Sequence, residues 1–188
     1  MKIYTRRGDR GQSTLLSGEQ VNKDDPRLKT FGALDELQTH LGMARSLVRH
    51  EPVRSVLYSI QQDIFVASSE LATVSESLSL LKDRLVAADV AKLEDWIDEF
   101  TGLYGLPRGF VVPGRSTDSA AVHLARAVCR RCERLIVILN RQENGAYGDL
   151  LAYYNRLSDL LFVLAWSLEV RDTVECVVCE WVDKDQRA

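Results

Sequence analysis

From residue 27 to about residue 170, apolar side chains return at steps of three and four, the repeat of helices that each bury one face. The first run is Leu28, Phe31, Leu34 and Leu41, with Gln38 and Arg45 in step and Leu37, Ala44 and Val48 widening the face. It opens at Asp24-Asp25-Pro26, an acidic cap with proline in the first turn, and stops near His50-Glu51-Pro52. Val56, Ile60, Ile64, Ala67 and Leu71 predict a second helix over 53–76, and 77–88 reads as a connection. Val90, Leu93, Ile97 and Phe100 predict a third over 89–104, punctuated by Gly102, Gly105 and Pro107.

A loop from Arg108 to Gly114 follows, and Ser116–Asp118 offers N-caps for a long fourth helix. Its seam is Ala121, Ala125, Val128, Cys132, Leu135 and Leu139, and Asn144-Gly145 is its stop. A fifth helix runs from about Asp149 to Val170 along Leu150, Tyr154, Leu157, Leu161, Ala165 and Leu168. The tail from Thr173 has strand propensity and no evident partner. Five long helices without a repeat predict an all-α bundle. The 188 residues suit one domain, with residues 1–26 as an arm, 27–172 as the bundle and 173–188 as a tail.

A net charge of -3 argues against a nucleic-acid binder, so any anion site must be a local concentration of Arg and Lys. No run approaches the roughly 20 apolar residues that span a bilayer. The opening MKIYTRRGDRGQ lacks the apolar core of a secretory signal, so an intracellular, cytoplasmic protein is expected. The pairs Cys129/Cys132 and Cys176/Cys179 have zinc or redox spacing. They lie too far apart for a zinc ribbon, however, and the first pair falls on an apolar stripe, where cysteine packs as a small hydrophobe. The second would face opposite sides of a strand. Packing is the expected role.

Three constellations exceed what a bundle needs. The arm reads Thr5-Arg6-Arg7-Gly8-Asp9-Arg10-Gly11-Gln12-Ser13-Thr14, with Lys23 downstream. Glycines, hydroxyls and bases can aim N–H groups at phosphates, although the Walker spacing is absent and a flexible arm is the competing reading. On the fourth helix Arg126, Arg130 and Arg134 stand at i, i+4 and i+8, with Arg131 and Glu133 beside them. Like charges so spaced repel by a few tenths of a kcal/mol per pair unless something anionic compensates. Guanidinium groups in a row suit phosphate, against a solvated charged face or buried ion pairing. On the fifth helix Tyr154-Asn155-Arg156-Leu157-Ser158-Asp159 interrupts an apolar face, and Asn155 could both donate to and accept from a nucleotide. His40, His50 and His123 form no HExxH or Glu-x-x-His motif and read as helix-face residues.

In this order the three constellations resemble the PduO-type ATP:cob(I)alamin adenosyltransferases. The resemblance runs through Tyr4 to Thr14, Lys23-Asp24, Phe31-Gly32-Ala33-Leu34-Asp35-Glu36-Leu37 and Phe110-Val111-Val112-Pro113-Gly114. It continues through His123-Leu124-Ala125-Arg126, Arg130 to Arg134 and Asn155-Arg156-Leu157-Ser158-Asp159. It covers residues 3 to about 166. Arg7, Cys132 and Arg115 depart from the family pattern, which has a small polar residue, an alanine and a second glycine there.

The resemblance implies a ferritin-like five-helix bundle, an N-terminal nucleotide-binding arm and a homotrimer with ATP between subunits. It implies transfer of the 5'-deoxyadenosyl group of ATP to cob(I)alamin with release of triphosphate, Mg2+ being held mainly through the ATP phosphates. Thr5, Arg6, Arg7, Gly8, Ser13, Thr14, Lys23, Arg130, Arg131, Glu133, Arg134 and Asn155 would contact ATP, Arg130 with a catalytic part. Phe110 would lie on the corrin's lower face, and Asp35 would meet Arg126 of a neighbour. A flavin reductase and an adenosylcobalamin-dependent acceptor enzyme are the expected protein partners. A non-catalytic carrier or sensor bundle is the alternative; it would keep the Arg row but could lose Phe110.

Overall fold

The computed structural model describes residues 3, 4 and 6–185, with the side chains of 179–185 left aside. Five long helices carry the fold: α1 Pro26–Leu47, α2 Glu51–Leu71, α3 Ala87–Tyr104, α4 Thr117–Gln142 and α5 Gly148–Asp185. This is the all-α bundle that the periodicity predicts. The caps sit where the sequence puts them. Asp25 Oδ1 accepts from Arg27 N at 2.8 Å ahead of Pro26, and Ser116 Oγ accepts from Ser119 N at 3.4 Å. After α4 the chain turns through Asn144 and Gly145, both at positive φ (52° and 88°), which is why that dipeptide stops the helix.

α4 lies between α1 and α5, with α2 against α1 and α3 against α5. Leu34, Leu37 and Leu41 of α1, Ile60 and Ile64 of α2, Ile136 of α4 and Tyr153, Tyr154 and Leu157 of α5 are wholly or almost wholly buried. Each large aliphatic side chain so buried contributes about 1.5–3 kcal/mol.

Three segments differ from the sequence reading. α2 ends at Leu71, not near 76, and a 3-10 turn follows at Ser75–Leu80. The connection to α3 is held by buried Glu70, whose carboxylate accepts from Leu85 N at 2.7 Å and Arg84 Nε at 3.2 Å. The arm holds a hairpin, β1 Gln12–Thr14 paired antiparallel with β2 Gln20–Asn22, Ser13 opposite Val21. The tail is helix, not strand, because α5 runs on to Asp185. No Gly or Pro follows Gly148 to stop it, extending a formed helix costs little, and Arg171 Nη2 reaches Glu175 Oε1 at 2.9 Å, one turn on.

The hairpin is fixed to one end of the bundle. Leu16 N donates to Ala72 O at 2.7 Å, and Val74 N to Ser17 Oγ at 3.2 Å. Below it Arg27, only 7% exposed, ties four segments together. Its Nη1 donates to Thr73 O at 3.0 Å and to the Tyr147 hydroxyl, and its Nη2 meets Glu143 Oε1 at 2.6 Å. Glu143 Oε2 also accepts from Ser75 Oγ at 2.7 Å.

Candidate functional site

Two clefts face solvent at opposite ends of α4. The first, about 700 Å³, is made by the arm alone. Arg7, Gly8, Ser13, Thr14 and Lys23 line it, joined by Gln12 and Gln20. Lys23 N donates to Gly11 O at 2.8 Å, which holds the hairpin base closed. A Cβ on Gly8 would stand 3.0 Å from Lys23 Nζ, so the ammonium lies close against the backbone here. Arg6 is not among the lining residues; it holds a positive φ of 60° with its guanidinium 5.5 Å from the Tyr4 ring centroid. Thr5 lies outside the described residues.

The second cleft, about 450 Å³, is walled by residues 109–114 and Arg115, with Trp166 and Glu169 of α5 behind them. Phe110 is 108% exposed, so it does not plug the bundle end. The cleft is tied to the start of α4, where Ser119 Oγ donates to Glu169 Oε1 at 3.0 Å. The arm sits on the 72–74 segment, which Arg27 ties to Glu143, the C-cap of α4. Ser119 and Glu143 are some 24 residues apart on this helix, or about 36 Å at 1.5 Å per residue.

Between the clefts lies the arginine row. Arg130 and Arg134 are exposed on α4, and Asn155 Nδ2 donates to Glu133 Oε1 at 2.9 Å, so these four share one face of α4 and α5. Arg131 instead turns to α1 and pairs with Glu36. Arg126 is half-buried, its guanidinium 6.0 Å from the Phe162 ring centroid, and its Nε is buried without a partner. Asp35 is exposed on α1. The structure therefore brings five arm residues into one cleft and four helix residues onto one face, and it keeps Arg131 and Phe110 apart from both.

Not every polar residue on these helices faces outward. His123 is buried, with neither ring nitrogen hydrogen-bonded and Nε2 3.8 Å from Glu169 Oε1. Burial, and then the charge of Arg126, hold its pKa below the usual value, which keeps the ring neutral. The helix-face reading of this histidine is therefore corrected. Arg27, Gln12 and Gln20 were absent from the sequence expectation. Gln12 sat within the arm motif, whereas Gln20 had no signal.

The cysteines of α4 pack as expected. Cys129 and Cys132 are fully buried, their thiols donating to Tyr154 O at 3.5 Å and Ala33 O at 3.2 Å. Burial pushes the Cys132 thiol up to about 12 and also raises that of Cys129 well above its usual value. Cys176 is exposed on the last turns of α5, where a spacing of three does not split a pair between two faces; the side chain of Cys179 lies outside the described residues. A brief treatment of the native protein with iodoacetamide should label Cys176 and leave Cys129 and Cys132 at least roughly tenfold slower to react, since the thiolate is the nucleophile. Peptide mass mapping reads the result, and equal labelling would remove the packing role.

A family model described as cobalamin adenosyltransferase matches residues 3–168. The chain belongs to that family. Among other members of the cobalamin adenosyltransferase family, the corrinoid adenosyltransferase of Citrobacter freundii is 37% identical over 164 residues, covering 87% of this chain and 93% of that protein. The corrinoid adenosyltransferase PduO of Salmonella typhimurium is 38% identical over 165 residues; the match covers 88% of this chain and 49% of that protein, so this chain spans about half of its length. Among solved structures, a variant PduO-type ATP:corrinoid adenosyltransferase from Lactobacillus reuteri, complexed with cobalamin and ATP, superposes with a TM-score of 0.83 at 32% identity. That superposition covers 91% of this chain and 96% of that one.

Proposed function

We propose that this chain transfers the 5'-deoxyadenosyl group of ATP to the cobalt of a cob(I)alamin or related corrinoid. The cobalt(I) electron pair forms the Co–C5' bond, the C5'–O bond breaks, and triphosphate leaves with its electrons. No general base is needed; the protein must hold C5' in line with cobalt and neutralise the leaving group. The observation that carries this reading is the pairing of two clefts, a cationic amide-lined one on the arm and a second one bordered by Val111, Val112, Pro113 and an exposed Phe110. A carrier or sensor has no evident use for that exposed aromatic ring.

The separation of the clefts along α4 supports assembly. A single chain places its ATP arm far from its own Phe110, so one reaction centre draws on two chains, and a homotrimer meets that need. The exposed Asp35 and the half-buried Arg126, its Nε without a partner, suit an ion pair across the contact. Lys23 with Arg7 of the arm would face the triphosphate, Arg130 and Arg134 would add charge from α4, and Asn155 with Glu133 would hold the nucleoside. Arg6 and Thr5 would join the arm's grip on ATP. Arg131 would act through Glu36, at the edge of the site. Mg2+ would be held mainly through the ATP phosphates. Residues 1–26 would form the arm of one 188-residue domain. No helix among the described residues is long and apolar enough to cross a membrane; a cytoplasmic setting, with a flavin reductase upstream and an acceptor enzyme downstream, completes the reading.

The decisive experiment is an anaerobic assay with chemically reduced cobalamin and ATP, following the adenosylcobalamin spectrum. Absence of that product would overturn the reading. Within it, Arg130→Ala and Arg134→Ala should each weaken ATP binding by roughly 10- to 150-fold, the loss of a charge-assisted contact of about 1.5–3 kcal/mol. Near-normal ATP affinity in both variants, read by calorimetry, would remove the row from the site.

A further inference from the structure

Glu169 has no role in the adenosyl transfer described above, yet its position is unusual. It is 4% exposed and still lines the cleft behind Phe110. Its Oε1 accepts from one neutral donor, Ser119 Oγ at 3.0 Å. His123 Nε2 stands 3.8 Å from it, and burial lowers the pKa of that ring, which disfavours its charged form. No lysine or arginine pairs with it among the described residues. A nearly buried carboxylate with so few donors is costly unless something that enters the cleft brings more. Trp166 Nε1, in the same wall, is buried without a hydrogen-bond partner, and so are both ring nitrogens of His123 beside Glu169. Arg115, exposed and cationic, lines the same cleft.

A corrin ring has an apolar face and a rim of acetamide and propionamide chains. A primary carboxamide presents N–H donors and a carbonyl acceptor on one short plane. A carboxylate that accepts and a guanidinium that donates, lining one cleft, offer a partner to each end of such a group. An unamidated corrin rim carries carboxylates instead, and these would meet Glu169 as like charge in a poorly solvated place.

We infer that Glu169, with Arg115 in the same cleft, reads the amidation state of the corrin rim and makes the cleft selective for carboxamide-bearing corrinoids over their free-acid precursors. This inference rests on the corrinoid reading of the cleft and adds a selection step to it. In a reaction sequence, the ATP-dependent amidation of the rim carboxylates must then precede this enzyme. A polar site built for one partner rejects the analogue that leaves its groups unpaired far more strongly than an apolar pocket can.

The test compares binding of cobinamide, whose rim is amidated, with cobyrinic acid, whose rim is all carboxylate, by equilibrium dialysis in the presence of ATP. The wild-type chain should bind cobinamide at least roughly tenfold more tightly. Glu169→Gln keeps an acceptor and loses the charge, so that ratio should fall by about tenfold, mainly because the acid binds better. Glu169→Asp keeps the charge and should keep the preference. Circular dichroism and ATP affinity check that each variant is folded. If Glu169→Gln does not fold, the wild-type ratio still decides. Equal wild-type affinities for the two corrinoids, or an unchanged ratio in folded Glu169→Gln, would overturn the inference while leaving adenosyl transfer to cobalamin intact. Failure to bind either corrinoid would overturn the reading of the cleft as well.

Discussion

Phe110→Ala should reduce turnover from cobalt(II) with a reductase by at least about 100-fold, some 2.7 kcal/mol at 1.36 kcal/mol per decade. Turnover from pre-reduced cobalt(I) should fall by less than roughly tenfold. The asymmetry follows from where the difficulty lies. Cobalt(II) resists reduction while a lower axial ligand donates electron density to it, and an apolar ring occupying that position removes the donor. With Phe110 in that position, the protein would tune the electronics of the corrinoid and supply no proton. Phe110 is free to do this because it stands out from the loop between Gly109 and Val111 instead of packing in the core. Its removal costs no core contact, so the melting temperature and ATP affinity should stay near wild type. Electron paramagnetic resonance of the complex with cobalt(II) and ATP should show the four-coordinate signal in the wild type and lose it in the variant. Equal losses in the two assays would return Phe110 to a merely steric part.

Arg27→Ala should cost about 3–5 kcal/mol of stability, because it strips one partner from a largely buried ion pair. For a chain of this size each kcal/mol moves the midpoint by about 2–4 °C, so thermal denaturation should begin roughly 6–20 °C earlier. The loss has several parts. Glu143 keeps only Ser75, Thr73 O loses a guanidinium donor, and the Tyr147 hydroxyl keeps the carbonyl of Thr73 at 3.3 Å as its partner. Arg27→Lys retains the charge without the fork that reaches three groups at once, and should recover only part of the stability. ATP affinity should fall along with stability, since the hairpin is seated on the segment that Arg27 holds. A drop of less than about 2 °C would show that the pair is solvated instead.

Local signals made the helices readable. Asp25-Pro26, Ser116 and Asn144-Gly145 each act within one turn of chain, and the apolar stripes carry their own period. The arm cleft was readable for the same reason, as its residues lie within twenty of one another. What escaped was decided over distance. Arg27 has no partner within its own helix; Glu143 and Tyr147 come to it only once α4 and α5 have packed. His123 has the surroundings of an exposed polar residue in sequence, and only the contact of α4 with α5 buries it. The tail was misread because Val174, Val177 and Val178 have strand propensity when considered alone. Continuation from a helix already anchored through Leu168 outweighs that propensity.

The two clefts at opposite ends of α4 have a genetic consequence. If each reaction centre draws on two chains, as proposed above, a lesion in the arm and a lesion in the loop strike different chains of any one centre. A cell with one arm-defective copy and one loop-defective copy would therefore assemble mixed oligomers. In some of these, an intact arm from one subunit meets an intact loop from the other. Each allele is a null by itself, and together they restore part of the phenotype. Two lesions at the same end cannot do so, and crosses between alleles would sort the residues of this chain by the cleft they serve.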